Sequence, residues 1–486
     1  MLVPRALISF PMLFAAFWPV SVFLLITNMP AEAAVPEKTG PFTYRGTITD
    51  FEARLALARV LSFSEGTLEE ALNEYRTLAA LCPENASVRA EMARVLLWLG
   101  KRDEALRELR LALSEEPSNR EALYRWGQAQ CLSGLHAASV GAYEKLLAEG
   151  PSHDQSNYQS NYQSNEAGGD ALERAKLALR PRAEAAYSYW SERGRDELSG
   201  ISRGRMDAGI SAPLYKDIRA GLSALYLDER AHFNNKTFTA RGFNVHVEGA
   251  VNRHLKGGAS WTLKSYSGEP GDTGTGSVHF DLYLRDGLRL GGRHEKTDEF
   301  YNLFGLRQGV QASSYMLRAE AAPARRVGLE AGAGYSRYSD DNRGEHVFLS
   351  AGYAFGEYPA KLKLALSGEY RDTDKKSVSI FEEDSLKDIV HPYWTPQNYY
   401  AGAVSIEWGG DYGEGFCEAG KRSYGLKLSL GTDSEQNPPF FKMLIFRLEG
   451  EWTHEFERFG AGMRFLLHRS RLWDANALWV DLRYIF

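Results

Sequence analysis

The sequence is poor in cysteine and carries no strong excess of either charge. It has three cysteines in 486 residues, Cys82, Cys131 and Cys417, and their spacing fits neither a disulfide framework nor a metal site. We expect them to be small buried residues, with a Cys82–Cys131 bridge as the alternative. The net charge of -6 is too small to indicate a nucleic-acid partner, and none is predicted.

The sequence also lacks the common motifs of catalysis and of metal or phosphate binding. Its 11 histidines form no H-x-x-x-H pair, and the G-x-S-x-G stretch at 200–204 leads into an alternating segment and no helical pattern, so it does not predict a nucleophile elbow. The glycine-containing "DTGTGS" at 272–277 is followed by no helical pattern, so it does not predict a phosphate-binding loop. We therefore expect no enzyme activity, no cofactor and no metal.

Long apolar runs are confined to the N-terminus. The segment 1–33 has one arginine, a long apolar stretch and the small residues Ala31 and Ala33 of an A-x-A site. This pattern predicts a secretory signal peptide, with an uncleaved inner-membrane anchor as the alternative. No later stretch is long and apolar enough for a membrane-spanning helix. The rest of the chain could therefore cross a membrane only with strands.

Residues 51–153 are predicted to be helical, with a repeat of 34 residues. Glycine tolerates the left-handed backbone of a turn between paired helices, and proline ends a helix. Gly127 is expected where paired helices pack closely, and Tyr143 at a large buried position. The period is marked twice, by Pro83, Pro117 and Pro151 and by Gly66, Gly100 and Gly134.

This periodic segment resembles tetratricopeptide repeats. The stretch "ARVLLWLGKRDEALRELRLALSEEP" fits the pattern of that family through Ala93, Gly100, Ala105, Ala112 and Pro117. The resemblance implies an all-α solenoid of about three repeats whose surface binds a protein or a glycan. A helical spacer without a ligand is the alternative.

A low-complexity segment follows the repeats. The stretch "SHDQSNYQSNYQSNEAGGD" at 152–170 nearly triplicates four residues and has no means of building a core. We therefore predict a flexible linker and a short helix over 154–182.

From residue 183 to 486 the apolar period becomes two. In "KLKLALSGEYR" at 361–371 the leucines alternate with charged residues, and about sixteen such segments follow one another. A soluble sandwich would also alternate, but the connections here are tight on one side and long and polar on the other. Residues 183–486 therefore predict an antiparallel transmembrane β-barrel of about 16 strands.

A barrel of this size leaves an aqueous lumen. The polar positions of the alternating segments are the candidates for lining it. Their charges are too balanced to name the charge of a substrate. The predicted lumen-lining residues are Asp281, Tyr283, Arg285, Arg289, Arg293, Lys361, Lys363, Glu369, Lys427, Arg447, Glu449, Arg464, Trp479, Asp481 and Arg483.

The C-terminus and one internal motif carry further resemblances. An ending in Tyr484 and Phe486 resembles the signal by which bacterial outer-membrane barrels are assembled, which implies the barrel assembly machinery and outer-membrane lipid as partners. The stretch "YWTPQNY" resembles a segment of cellulose-export outer-membrane proteins, whose plan is shared by poly-N-acetylglucosamine export porins. Its motif residues are Tyr393, Trp394, Pro396, Gln397 and Tyr399.

These resemblances imply a pore in the bacterial outer membrane, with the repeats in the periplasm. The expected function is export of a secreted polysaccharide, while the repeats bind the polymer, a periplasmic protein or a synthase. Surface lipoprotein assembly modulators share the plan of repeats before a barrel. Translocation or assembly of surface lipoproteins is therefore an alternative, as is a barrel scaffold without transport.

Overall fold

The computed structural model describes residues 51–149, 158–193, 200–231, 237–268, 270–298, 309–355, 360–374, 380–382, 385–387, 395–412, 422–434, 444–456, 458–470 and 473–486. The predicted signal peptide at 1–33 lies outside these residues, as do Tyr393 and Trp394 of the motif.

The described part of the N-terminal region holds seven helices. Helix α3 packs against α4 and α5 against α6, as the repeat pattern predicts, and α7 packs against α6. The helices are α1 Phe51–Leu61, α2 Leu68–Leu81, α3 Ala86–Trp98, α4 Arg102–Glu115, α5 Arg120–Leu132, α6 His136–Ala148 and α7 Tyr158–Ala178.

The glycine of the repeat has its predicted conformation in two of the three turns. Gly100 and Gly134 have φ of 74° and 75°, in the left-handed region that favours glycine. Gly66 instead lies in a 3-10 helix, Glu65–Thr67. The first connection runs from 62 to 67 and has room for this extra turn, whereas the connection at Gly100 spans only 99–101.

The helices share a core built by close packing of small against large residues. A Cβ on Gly127 would lie 2.5 Å from Cε1 of Tyr143, so the glycine makes room for the tyrosine ring. Tyr143 is fully buried and clusters with Leu123 and Leu146. The predicted tight contact of paired helices is therefore present.

The predicted linker at 154–182 is mostly helix. Helix α7 runs through Tyr158–Ala178 and places Leu172 and Ala175 in the core cluster of Tyr143. Burial of these apolar side chains stabilises the helix, although the low-complexity sequence of its first half shows no helical pattern.

The cysteines differ from expectation. Cys82 carries a free thiol and Cys131 is disulfide-bonded, so the Cys82–Cys131 bridge is absent. The expectation that Cys131 is only a small buried residue is wrong, although its side chain is buried.

Sixteen antiparallel strands close into one barrel, as predicted. The barrel closes where β1 pairs with β18, from Arg182 opposite Ile485 to Arg193 opposite Asp474. Two short strands, β12 and β13, form a separate hairpin. The strands are β1 Arg182–Arg193, β2 Ile201–Tyr215, β3 Ile218–Ala231, β4 Thr237–Asn252, β5 Leu255–Tyr266, β6 Asp272–Arg285, β7 Leu288–Asp298, β8 Gln311–Ala324, β9 Val327–Tyr338, β10 Arg343–Phe355, β11 Ala360–Thr373, β12 Ile380–Glu382, β13 Ser385–Lys387, β14 Tyr399–Tyr412, β15 Arg422–Ser434, β16 Leu444–Phe456, β17 Phe459–Arg469 and β18 Asp474–Ile485.

The two ends of the barrel differ in their connections. We call the end where β1 begins and β18 finishes the turn rim, and the opposite end the loop rim. The connection between β14 and β15 lies outside the described residues. Two-residue connections lie on the turn rim at 216–217, 253–254, 286–287 and 325–326.

The outer face of the barrel is apolar and has aromatic side chains near both rims. Tyr370 and Tyr400 pair near the loop rim with ring centroids 4.9 Å apart. Trp408 and Tyr424 pair near the turn rim at 4.8 Å. An apolar band between aromatic girdles is the surface that a barrel presents to lipid, so the fold is a transmembrane β-barrel. No helix among the described residues is long and apolar enough to cross a membrane.

Candidate functional site: the interior wall of the barrel

The direction of each wall residue follows from strand alternation. On β11 Leu362 is exposed on the apolar outer face, and on β14 so are Ile406 and Trp408. Neighbouring positions along a strand point to the opposite face. Lys363 and Glu407 therefore point into the barrel.

The same alternation places the predicted lumen residues on the inner face. The strand of Lys361 is described, but its side chain is not. The others lie opposite exposed apolar neighbours: Asp281, Tyr283, Arg285, Arg289, Arg293, Lys363, Glu369, Lys427, Arg447, Glu449, Arg464, Trp479, Asp481 and Arg483.

One group of these residues forms a ladder of alternating charge across β6 to β9. Arg289 lies 3.5 Å from Asp281 and 2.8 Å from Glu320. Arg318 continues the ladder, at 2.6 Å from Glu320 and 3.0 Å from Glu330. Each charge has a partner on a neighbouring strand, so this wall is polar with little net charge.

A second charged group lies on β11, β14 and β15. Glu407 accepts ion pairs from Lys363 and Lys427, each at 3.0 Å. Closer to the loop rim, Glu369 lies 3.2 Å from Arg371 and 3.4 Å from His346. Sequence reasoning found Lys363, Lys427 and Glu369, but not Arg371, His346 or Glu407, the shared acid.

Aromatic rings gather on the inner face where the barrel closes. The rings of Trp190 on β1 and Trp479 on β18 have centroids 6.4 Å apart, and Trp473 lies 6.5 Å from Trp190. The guanidinium of Arg464 lies 5.5 Å from the Trp479 ring. His468 stacks on Trp473 at 4.1 Å. We call Trp190, Trp473 and Trp479 the tryptophan cluster.

Sequence reasoning identified Trp479 and Arg464 but missed Trp190 and Trp473. The signal for Trp190 was available in "AYSYWSE", where Tyr187 and Tyr189 occupy the outer face and leave Trp190 inside. Only closure of β1 on β18 brings the three rings together, and no local pattern reports that pairing.

A polar cavity lies at the loop rim near β1, β17 and β18, mostly between residues at outward-pointing positions of these strands. Its volume is about 210 Å³, and Glu192, Arg469, Asp474 and Asn476 are among the residues that line it. The indole N–H of Trp190 donates a hydrogen bond of 3.0 Å to Glu192. Only Glu192 belongs both to the cavity and to the inner face that carries the tryptophan cluster.

The motif residues have structural contacts at the loop rim. Gln397 donates hydrogen bonds to the carbonyl and the hydroxyl of Thr373, at 2.7 and 2.9 Å. That hydroxyl donates in turn to the carbonyl of Pro396 at 2.9 Å. Tyr399 is buried on the inner side and donates to Asp433 at 3.4 Å. Tyr399 therefore links β14 to β15. It is not part of the aromatic girdle on the outer face, and its buried ring is not an open surface for a ligand.

A cluster of buried charged residues lies near the loop rim, on strands β2 to β8. Sequence reasoning did not find it. Glu229 is fully buried and pairs with Arg203 at 2.6 Å. Asp298 pairs with Lys264 and accepts from Gln311 at 2.8 Å. Buried charges need such partners, and here they hold strands together.

The C-terminal residues lie where the barrel closes. Tyr484 and Phe486 are exposed on the outer face, with ring centroids 5.5 Å apart at an interplanar angle of 88°. The amide of Phe486 donates to the carbonyl of Pro181 at 3.0 Å. This places the predicted assembly residues on the outer face of the barrel.

The comparison with known protein families supports the repeat prediction in the helical region. The model of the Tetratricopeptide repeat family matches residues 62–125, which confirms the repeat prediction there. No curated protein matches the chain.

Several solved structures are similar to part of the chain. A bacterial polysaccharide outer membrane secretin is 13% identical, with 63% of this chain and 98% of that chain covered and a TM-score of 0.48. OpdQ from Pseudomonas aeruginosa is 8% identical, with 63% and 97% covered and a TM-score of 0.32. CdiB from Acinetobacter baumannii is 10% identical, with 62% and 60% covered and a TM-score of 0.35.

Proposed function

We propose that the protein is an outer-membrane pore for export of a secreted polysaccharide. The observation that carries this proposal is the tryptophan cluster on the inner wall. The faces of sugar rings present C–H groups that pack on flat aromatic rings, and indole offers the largest such surface. The rings are half-buried, so part of each remains accessible from within the barrel.

The charged ladders support passage of a polymer. Their ion pairs keep the wall polar while they leave little net charge, as at Arg289 between Asp281 and Glu320. A polyhydroxylated chain can exchange many weak hydrogen bonds with such a wall without being held by any one of them.

The location and orientation belong to the same proposal. The tight turns of outer-membrane barrels face the periplasm, and α7 leads into β1 at the turn rim. The repeats would then lie in the periplasm and recruit the polymer, a periplasmic protein or a synthase. The barrel assembly machinery and outer-membrane lipid complete the partners.

Block of single-channel current in planar bilayers tests the proposal. We expect neutral glucan oligosaccharides to interrupt the current, with longer chains giving longer blocks. The double variant W190A/W479A should weaken the block about thirtyfold, since each of the two lost rings removes roughly 1 kcal/mol. Trp408→Ala, on the lipid face, is the matched control. An equal loss in the control, or no block by any glucan, contradicts the proposal.

A further inference from the structure

The helices of the repeats differ in how their N-termini are capped. In α3 the side chain of Asn85 accepts from the amide of Val88 at 3.1 Å, and in α5 Asn119 accepts from Ala122 at 2.9 Å. These first helices of the pairs therefore carry their own caps, 34 residues apart.

The second helices of the second and third pairs have no such residue. Lys101 and Leu135 occupy the N-cap positions of α4 and α6, and neither side chain has an oxygen that could accept a hydrogen bond. The first amides of these helices need an acceptor from elsewhere.

The barrel supplies both acceptors from its turn rim. Asp286, between β6 and β7, accepts from the amide of Asp103 at 2.8 Å. Asp217, between β2 and β3, accepts from the amide of Ala137 at 3.0 Å. Asp103 and Ala137 are 34 residues apart, so the two aspartates cap the same position in successive repeats.

Neighbouring groups reinforce these contacts. Arg253, in the turn between β4 and β5, lies 3.8 Å from the Asp103 carboxylate. At the other end of the helical region, Arg219 of β3 donates to the carbonyls of Ala178 and Arg180, at 2.8 and 3.0 Å. The helices therefore contact the rim at separate points along the region.

We infer that the turn rim is a docking surface for the repeats, with Asp217 and Asp286 acting as N-caps that the barrel supplies to α6 and α4. The repeats are then a fixed vestibule beside the β2–β7 part of the rim rather than an arm on a linker. This inference does not depend on what the pore carries.

Hydrogen–deuterium exchange of the full-length protein in detergent tests the inference. In the double variant D217A/D286A, we expect the first turns of α4 and α6 to exchange about fivefold faster, the size expected for one lost cap per helix. The first turns of α3 and α5 keep their asparagine caps and should be unchanged. Unchanged barrel strands confirm that the variant is folded.

Two further variants make the result specific. D217N/D286N should restore slow exchange, because asparagine caps helices as well as aspartate does. Asp341→Ala, at an exposed position on the loop rim, should have no effect on either helix. Unchanged exchange in α4 and α6 of D217A/D286A, or equal acceleration in α3 and α5, would overturn the inference.

Discussion

Trp190 and Trp479 face each other across the pair of strands that closes the barrel, with ring centroids 6.4 Å apart on the inner wall. The two residues are almost 290 positions apart in the sequence, so the contact exists only in the closed barrel. It creates an aromatic surface on an inner wall that carries paired charges on other strands.

The cluster should matter for export in cells. We predict that W190A/W479A lowers the amount of secreted polysaccharide several-fold while the barrel reaches the outer membrane at the normal level, because the rings line the proposed path of the polymer and the backbone pairing of β1 with β18 remains. Extracellular glycan per cell, normalised to folded barrel, is the measurement. Trp408→Ala at the lipid face should secrete normally, and an equal loss there would contradict a role of the inner rings.

The ladder of β6 to β9 should set the ion selectivity of the pore. Arg289→Gln leaves Asp281 and Glu320 without their shared cation. The inner wall then gains negative charge, and the pore should shift towards cations. The reversal potential in a KCl gradient measures the shift. Arg337→Gln, on the outer face, is the control, and an unchanged potential in Arg289→Gln would argue against a conducting lumen at this wall.

The repeats should lose stability in acid through Glu91. Burial acts to raise the pKa of this carboxyl, but the bonds from Arg59 at 2.5 Å and Tyr75 at 2.9 Å outweigh burial and lower the pKa. A lowered pKa in the folded state means that the stabilisation is complete above the unfolded pKa and is lost as pH falls through the folded one.

The corresponding variant is Glu91→Gln. We expect it to destabilise the repeats by roughly 1–2 kcal/mol near pH 7 and to flatten the pH dependence of their stability. This figure is reduced for solvent screening of the ion pair, because Arg59 is half-exposed. Hydrogen exchange of α2 and α3 between pH 4 and 7, corrected for intrinsic rates, measures this. A wild-type stability that does not fall in acid would contradict the assignment.

The two cysteines of the repeats should react differently with thiol reagents. Cys82 is free and partly accessible, whereas Cys131 is disulfide-bonded. Without reductant, iodoacetamide should label Cys82 and leave Cys131 unlabelled. Peptide mass spectrometry measures the labelling, and the mass of the peptide joined to Cys131 identifies its partner. Labelling of Cys131 in the native, unreduced protein contradicts the structure.

Removal of the C-terminal aromatics should impair assembly. Phe486→Ala removes an exposed lipid-facing ring, and its ring contact with Tyr484, while the amide bond to Pro181 can remain. We therefore expect less folded barrel in the membrane but normal stability of the molecules that do fold. Heat-modifiable migration on gels separates these two effects. Phe456→Ala, another exposed ring near the turn rim, is the control.

The sequence was sufficient for the strands and for the repeat, because both follow from local periodicity. Alternation at Leu362 and Lys363 fixes which side chain meets lipid, and the 34-residue period fixes the turns at Gly100 and Gly134. These features depend on neighbours a few residues away.

Contacts between distant segments could not be predicted in this way. The pairing of Trp190 with Trp479 depends on barrel closure, and the cap of Asp286 on α4 depends on how helices meet the rim. The absence of capping residues at Lys101 and Leu135 was visible in the sequence. The sequence alone did not show that Asp217 and Asp286 of the barrel supply the missing hydrogen-bond acceptors.

The central claim is that the pore exports a polysaccharide. A clean deletion strain tests it most directly when secreted polysaccharide and surface-exposed lipoproteins are measured in the same cells. Our account predicts loss of extracellular glycan with normal lipoprotein exposure, and recovery when the wild-type chain is restored. Normal glycan with lipoproteins stranded below the surface would contradict it.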